Sequence, residues 1–311
     1  PARSSGYDSG AMNPAIRRTP ICSRKPLTGA RRRFPVAATA AVVTITALAH
    51  AGTAHAAPRA APIPGGIAIV RLASAEAAPP QAFYQGRSVL VERRDGAWRA
   101  LVGIALNAEP GEHRLKVVTA GASGVADRET AFRVMPHAYA TQKLTIRDTT
   151  KVTPPPEALE RIEREQARMA ALRTRFRDIA PVDVDFAPPA HGRLSSRFGL
   201  RRVLNGEPRN PHGGLDFALP AGTPVTAPAA GVVIDAADYF YCGQSVFVDH
   251  GQGLISLYCH LDRIDVAPGQ SLRRGERIGL SGASGRATGP HLHWSVYLNG
   301  NGIDPELLLA R

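Results

Sequence analysis

Between Ile63 and Ile146 the chain cannot sustain a helix, because Gly, Pro or Asn interrupts it at roughly ten-residue intervals. What lies between the breaks is short and apolar or alternating: Ile67-Ala68-Ile69-Val70, Ser88-Val89-Leu90-Val91, Arg99 to Ile104, His113 to Val118 and Thr130 to Val134. That cadence predicts an accessory β-sandwich-like domain over 57–150. Pro154-Pro155-Pro156 stops any strand. Leu159, Ile162, Met169, Leu172 and Phe176 then form one apolar stripe at helical spacing through the highly charged stretch Glu157 to Asp178. This predicts a linker helix within 151–186, packed on one domain rather than forming a coiled coil. Pro188-Pro189 opens the last region, 187–311. The expected class is mainly β, and 311 residues give room for about two domains.

The N-terminal 56 residues have a different composition. They hold eight Lys or Arg against the single acid Asp8, whereas 187–311 holds eleven Arg, no Lys and ten acids. Much of the formal charge of +12 therefore sits in a leader and not on a folded surface, which argues against a nucleic-acid partner. Arg31-Arg32-Arg33 precede an apolar run, and Ala54-His55-Ala56 supplies small residues where a signal peptidase reads. Residues 1–56 are thus expected to be an export signal region with its core at 31–56. The most continuously apolar part, Val36 to Ala49, is 14 residues, short of the roughly 20 that span a bilayer. Membrane association is expected only if the leader stays uncleaved. The predicted location is the periplasm or cell envelope.

The chemistry is concentrated after Ala187. Histidines and acids recur there as His212 and Asp216 in His-Gly-Gly-Leu-Asp, His260 in Tyr-Cys-His, and His291 with His293 in His-Leu-His. On a strand, His291 and His293 point to one face and Leu292 to the other. His212 and Asp216 are an even step apart, which also suits one face, and the Gly pair between them is expected to let a metal approach the backbone. Two imidazoles and a carboxylate form a donor set that zinc takes when it keeps a position open for water. A lone His-x-His is better read as two surface histidines, so the weight lies on the ensemble. Other chemistries lack their signatures: no Gly-x-Ser-x-Gly elbow surrounds Ser195 or Ser196, no His-Glu-x-x-His occurs, and Gly279 to Gly285 lacks the Lys-Ser/Thr ending of a phosphate loop. Strand parity sends the Cys259 sulfur away from the face of His260. Export leaves a disulfide between Cys242 and Cys259 open, subject to a register that one or two residues of slip would break.

The motifs resemble those of the lysostaphin-type peptidoglycan metalloendopeptidases, the LytM or M23 family. Gly192 to Arg201 is similar to the family's opening segment, His212-Gly213-Gly214-Leu215-Asp216 to its first metal motif, and Pro220 to Val225 to the stretch that follows. His250-Gly251-Gln252-Gly253 through Leu257-Tyr258-Cys259-His260-Leu261 resembles its hairpin and Tyr-x-His element, and Ser281 to Trp294 its last motif. The similarity runs from about Ala187 to Pro305, and the β-rich region before it looks like the accessory domain of some exported members.

The resemblance implies one Zn2+ held by His212, Asp216 and His293, with His291 as general base and His260 stabilising the oxyanion or passing a proton to the leaving amine. Zinc lowers the pKa of water from 15.7 to about 7, so the implied reaction is peptide-bond hydrolysis without a covalent intermediate. The implied substrate is the peptide stem of peptidoglycan, either the D-alanyl to meso-diaminopimelate cross-link or an oligoglycine bridge. The accessory region and the lack of an evident wall-targeting repeat favour the cross-link. Arg197, Arg201 and Arg202 are candidates to pair with stem carboxylates, with Arg201 singled out. The rival reading is a non-catalytic regulator that binds and activates cell-wall amidases, against which the full His/Asp set argues; a third is an enzyme that cuts secreted proteins. A regulatory protein partner is compatible with either of the first two.

Overall fold

The computed structural model describes residues 58–74, 78–121, 124–145 and 154–310. The leader and its expected cleavage site lie outside these residues. Strands β1 (Ile67–Ser74), β2 (Gln81–Tyr84), β3 (Arg87–Ser88), β4 (Leu90–Arg94), β5 (Ala97–Gly103), β6 (Gly111–Gly121) and β7 (Gly124–Val134) build the first region. They form two sheets, in the orders β1-β5-β4 and β3-β2-β6-β7. Asp95-Gly96 and Gln85-Gly86 turn two of the hairpins with both residues at positive φ, the backbone that matches strand twist in a two-residue loop. Ala68, Val70 and Leu72 of β1 alternate inward and meet Ala82, Tyr84, Leu115 and Val117 of the second sheet in a common core. The region is the sandwich that its alternation predicts.

Its first sheet is apolar on both faces. Ile67, Leu90 and Leu101 point out of the sandwich and are fully buried in the same cluster as Phe186, Leu254, Trp294 and Leu298. Side-chain amides lock the contact, satisfying backbone groups that the junction buries. Asn299 accepts from the Gly103 amide at 2.6 Å and donates to its carbonyl at 3.0 Å. Gln252 accepts from the Val91 amide and donates to the Ile179 carbonyl, both at 2.9 Å. Gly103 is required at this approach, since a Cβ there would lie 2.6 Å from the Leu298 carbonyl oxygen. The regions either side of the composition change therefore share one hydrophobic cluster.

After β8 (Thr141–Leu144) comes α1 (Pro156–Arg173), which opens on proline where the missing N–H costs nothing. The helix ends three residues before the last member of the stripe, Phe176. Ile162 and Leu172 are buried and Met169 packs beside Tyr239, Phe247 and Leu257, but Leu159 is exposed and Phe176 lies beyond the helix, exposed as well. Polar pairs fix the rest of its inner face: Arg161 and Arg168 reach Asp238 and Asp235, and Glu165 accepts from the Phe240 amide at 2.7 Å.

The remaining strands are β9 (Arg193–Ser196), β10 (Arg201–Leu204), β11 (Glu207–Arg209), β12 (Leu215–Ala218), β13 (Pro224–Thr226), β14 (Gly231–Tyr239), β15 (Gly243–Gly251), β16 (Leu254–Ile264), β17 (Ser271–Leu272), β18 (Arg277–Ser281), β19 (His291–Leu298) and β20 (Asn301–Ile303). Ten of them join one antiparallel sheet whose main path is β17-β14-β15-β16-β19-β12-β9. Its two faces diverge. Trp294, Val296, Leu298 and Tyr258 enter the large core, while Ile255, Leu257 and Cys259 face the helix side. β10 and β11 form a separate hairpin extended by β8, which pairs with β10 in parallel. No helix among the described residues is long and apolar enough to cross a membrane.

Candidate metal centre

Three adjacent strands and one loop bring the candidate residues together. On β12, Asp216 stands directly opposite His293 of β19. On the other side of β12, Asp216 pairs with Ser196 of β9. His212 enters from the loop just before β12. Leu292 and Trp294 are fully buried in the core, so His291 and His293 share the other face, as alternation requires. Space is open around Gly213, whereas a Cβ on Gly214 would lie 2.3 Å from the Trp294 carbonyl oxygen, so Gly214 also lets two strands close up.

The expected parity around Cys259 is overturned. Cys259 is the ladder partner of His293, and directly paired residues share a face. His260 has φ +62°, a left-handed backbone that breaks the alternation, so both residues leave the large core on the same side. Cys259 nevertheless packs into the apolar cluster with Tyr239, Phe247 and Ile255 and does not join the metal-ligating group. Cys242 and Cys259, the pair whose bonding the sequence leaves open, are free thiols here and interact with each other. Burial, then Cys242, raises the Cys259 pKa and keeps it a neutral thiol.

His212, Asp216 and His293 converge. His212 Nε2 lies 2.9 Å from Asp216 Oδ1, His293 Nδ1 lies 2.7 Å from the same oxygen, and the two nitrogens are 3.0 Å apart. A tetrahedral ion with bonds of about 2.0–2.1 Å has donor-to-donor edges of about 3.3 Å, so the triangle is of the right size and composition for zinc. The far sides of the donors are anchored, as metal-binding histidines require. His212 Nδ1 lies 2.7 Å from the Arg197 carbonyl and 3.2 Å from Ser196 Oγ; His293 Nε2 lies 2.8 Å from Ser295 Oγ. Burial would raise the Asp216 pKa, but hydrogen bonds from His212 and His293 outweigh it and hold the carboxyl well below its usual range.

His260 and His291 pack beside this triangle with ring centroids 4.6 Å apart and planes inclined at 44°, and the His260 ring is 6.1 Å from that of His293. Each is held through Nδ1, His260 at 2.8 Å from the Ser284 carbonyl and His291 at 2.8 Å from that of Gly289. Donation to those carbonyls leaves Nε2 on each ring able to accept a proton. Burial, followed by the neighbouring His291 and His293, pushes the His260 pKa down to about 3, so that ring is neutral at ordinary pH.

Of the adjacent pair, Arg202 and not Arg201 reaches the triangle. Arg201 is exposed on the rim of a cavity formed with Tyr139 and Leu106, away from the triangle. Arg202, one step along β10 and therefore on its other face, donates from Nη2 to Asp216 Oδ2 at 3.0 Å. Arg197 pairs with Glu306. Gln142 of β8 also reaches the site: it lines a cavity of about 250 Å³ with Ser196, Arg202, Asp216 and His291, and Ser196 Oγ donates to its Oε1 at 3.4 Å. Its position depends on the parallel β8–β10 pairing, for which the sequence carries no local signal.

Comparison with known proteins follows the same division. A family model described as peptidase family M23 matches residues 210–305, and one described as the M23 N-terminal domain matches residues 60–135. The peptidoglycan DD-endopeptidase ShyA of Vibrio cholerae is 44% identical over 113 residues, 36% of this chain and 26% of that protein. The DD-carboxypeptidase/endopeptidase Mpg of Neisseria meningitidis is 40% identical over 118 residues, 38% of this chain and 27% of that protein. The matched stretch thus spans about a quarter of the length of these two curated relatives. A solved structure from Pseudomonas aeruginosa, described as an M23 peptidase, is 46% identical with a TM-score of 0.66, covering 80% of this chain and 95% of that one.

Proposed function

The chain belongs to peptidase family M23, and from that premise we propose that it is an exported zinc endopeptidase that hydrolyses peptide cross-links of bacterial peptidoglycan. The observation that carries this reading is the triangle of His212 and Asp216, both buried, with half-buried His293, and two further histidines packed at its edge. Zinc held there supplies Lewis acidity, lowering the pKa of water and polarising the scissile carbonyl.

The chain's own side chains supply the rest. His291, fixed through Nδ1 on the Gly289 carbonyl, takes the proton of the attacking water at Nε2. His260 is neutral and anchored through Nδ1 on the Ser284 carbonyl, so it donates to the developing oxyanion or passes a proton to the leaving amine only after its Nε2 has taken up a proton during the reaction. Ser196 and Ser295 keep the ligand imidazoles in register.

The substrate reading, a D-alanyl to meso-diaminopimelate bond, draws on the DD-endopeptidase and DD-carboxypeptidase/endopeptidase names of the relatives. Export to the periplasm or cell envelope draws on the basic, apolar and small-residue order of 31–56. The test is metal analysis of the purified chain beside digestion of cross-linked muropeptides with and without a chelator. Bound zinc and chelator-sensitive release of monomers are expected. A metal-free chain that leaves the cross-links intact would favour the amidase-regulator reading instead.

A further inference from the structure

Strand β8 lies between the two stretches that match the family models, after residue 135 and before residue 210. It pairs in parallel with β10, Gln142 opposite Arg202, and the Arg201 amide donates to the Ala140 carbonyl at 2.9 Å in the same register. Paired residues share a face. Gln142 therefore turns the way of Arg202, toward Asp216, while Thr141 and Lys143 on either side of it are exposed. Its carboxamide is held at one end. Oε1 accepts from Ser196 Oγ at 3.4 Å, and Nε2 has no hydrogen-bond partner among the described residues. The cavity of about 250 Å³ into which this half-buried side chain faces is the one that Asp216 and His291 also line. Other donors there are engaged: Ser195 Oγ donates to the Asp216 carbonyl at 3.0 Å, and Arg202 pairs with the Asp216 carboxylate.

Resting on the peptidase reading, we infer that Gln142 is a substrate-binding residue, whose Nε2 donates to the peptide carbonyl next to the one being cut. With the scissile carbonyl at the triangle, the adjoining residue of an extended peptide falls in the cavity that shares Asp216 and His291 with the reacting centre. That cavity offers a neutral donor, and its arginine is already paired with Asp216, which suits a neutral carbonyl rather than a carboxylate. The chemistry of the cross-link then fixes the side. On the amine side of the D-alanyl to diaminopimelate bond, the nearest oxygen group is the carboxylate on the carbon that bears the leaving nitrogen. On the acyl side it is the carbonyl of the amide that joins the D-alanine to its own strand. The neutral donor belongs to the acyl side, and recognition there rests on a strand that only its pairing with β10 brings to the cleft.

The experiment compares full-length wild type with Gln142→Ala and with Gln142→Glu, which keeps the size and loses the donor. The substrates are a cross-linked muropeptide dimer and two thioamide analogues. One has sulfur, a poorer acceptor, in place of the assigned carbonyl oxygen, and the other has it one amide further along the same strand. Both variants are expected to lose about 3–10-fold in kcat/KM on the dimer, chiefly through KM, the size of one neutral hydrogen bond. Wild type should lose a similar factor on the first thioamide alone, and the variants less than about twofold more on it, because the contact is already gone. The dissociation constant of the metal-free chain for the uncut dimer should rise by the same factor, a readout that needs no turnover. Zinc content and melting temperature report whether each variant is folded. Unchanged kcat/KM in both variants overturns the assignment, as does a rise, which would make β8 an obstruction of the cleft. So do a wild-type penalty that falls on the second thioamide and variants that still pay the full penalty on the first. Loss of zinc from folded Gln142→Ala overturns it too, placing the residue behind Ser196 and His212 instead of on the substrate. A folded, zinc-loaded wild type that leaves the dimer uncut overturns the peptidase reading and this contact with it. Wild type and variants that cut the dimer equally well remove the contact alone.

Discussion

Arg202 and Asp216 face each other across the edge of the metal triangle, with Nη2 3.0 Å from Oδ2, while the other oxygen of the same carboxylate is shared by His212 and His293. The guanidinium therefore decides which oxygen of Asp216 faces the ligand imidazoles. Groups that orient a ligand in this way are commonly worth 10–100-fold in metal affinity. Arg202→Ala is expected to weaken zinc binding by about that factor, measured by competition with a chromogenic chelator, whereas Arg201→Ala leaves it unchanged. Equal affinities in the two variants would remove Arg202 from the site.

The five histidine and aspartate positions divide by role. His212→Ala is expected to abolish stoichiometric zinc and turnover together. His291→Ala, which removes no member of the triangle, should retain zinc while kcat falls by about 10²–10⁴-fold. Metal content by atomic emission and initial rates on one muropeptide separate the two outcomes.

The shared core sets the limits of truncation. Removing residues up to 178 would uncover the surface that buries Ile67, Leu90 and Leu101 and would strip Asn299 and Gln252 of backbone partners. The truncated chain is expected to melt far below the full one and to aggregate, and Leu101→Ala in the full chain to cost about 2–5 kcal/mol. Thermal and urea unfolding of both should show one cooperative transition for the full chain. Separate melting of the first region would show that the contact is weak.

His250 gives acid sensitivity remote from the metal. It is buried against the Ala230 carbonyl and Ser256 Oγ, each at 2.8 Å, and burial pushes its pKa down from 6.5 to about 4. The unfolded chain takes up this proton first as pH falls. The contribution is thus fully present above about 6.5, declines through the interval below it and is gone near pH 4, a total of about 3 kcal/mol. His250→Asn should flatten the difference between urea-unfolding free energies at pH 7 and pH 5. A variant with the same pH slope as wild type would exclude this histidine as the cause.

Much of this was legible because it is local. The sandwich strands follow from alternation and turn chemistry, and the shared face of His291 and His293 follows from a period of two. Leu159 and Phe176 misled because a helical stripe marks which side of a helix can be apolar, not how far the sheet beneath it extends. Cys259 misled because parity counts residues and does not register a bulge. Arg201 was preferred to its neighbour because nothing in Arg201-Arg202 says which face of β10 meets β12.

The sequence by itself determined a β-rich chain and a family-specific set of histidine and aspartate motifs, since strand period, turn residues and motif spacing are written in consecutive positions. Tertiary structure decided that Arg202 is the arginine that meets Asp216 and that Arg209, Arg286 and Tyr241 gather beside His212 and His293. It also decided that β1-β5-β4 has a second buried face and that Gln142 reaches the cleft. Those relationships depend on ladder registers and a parallel pairing between segments about sixty residues apart, and such pairings are selected by the burial of the whole core rather than by any local preference.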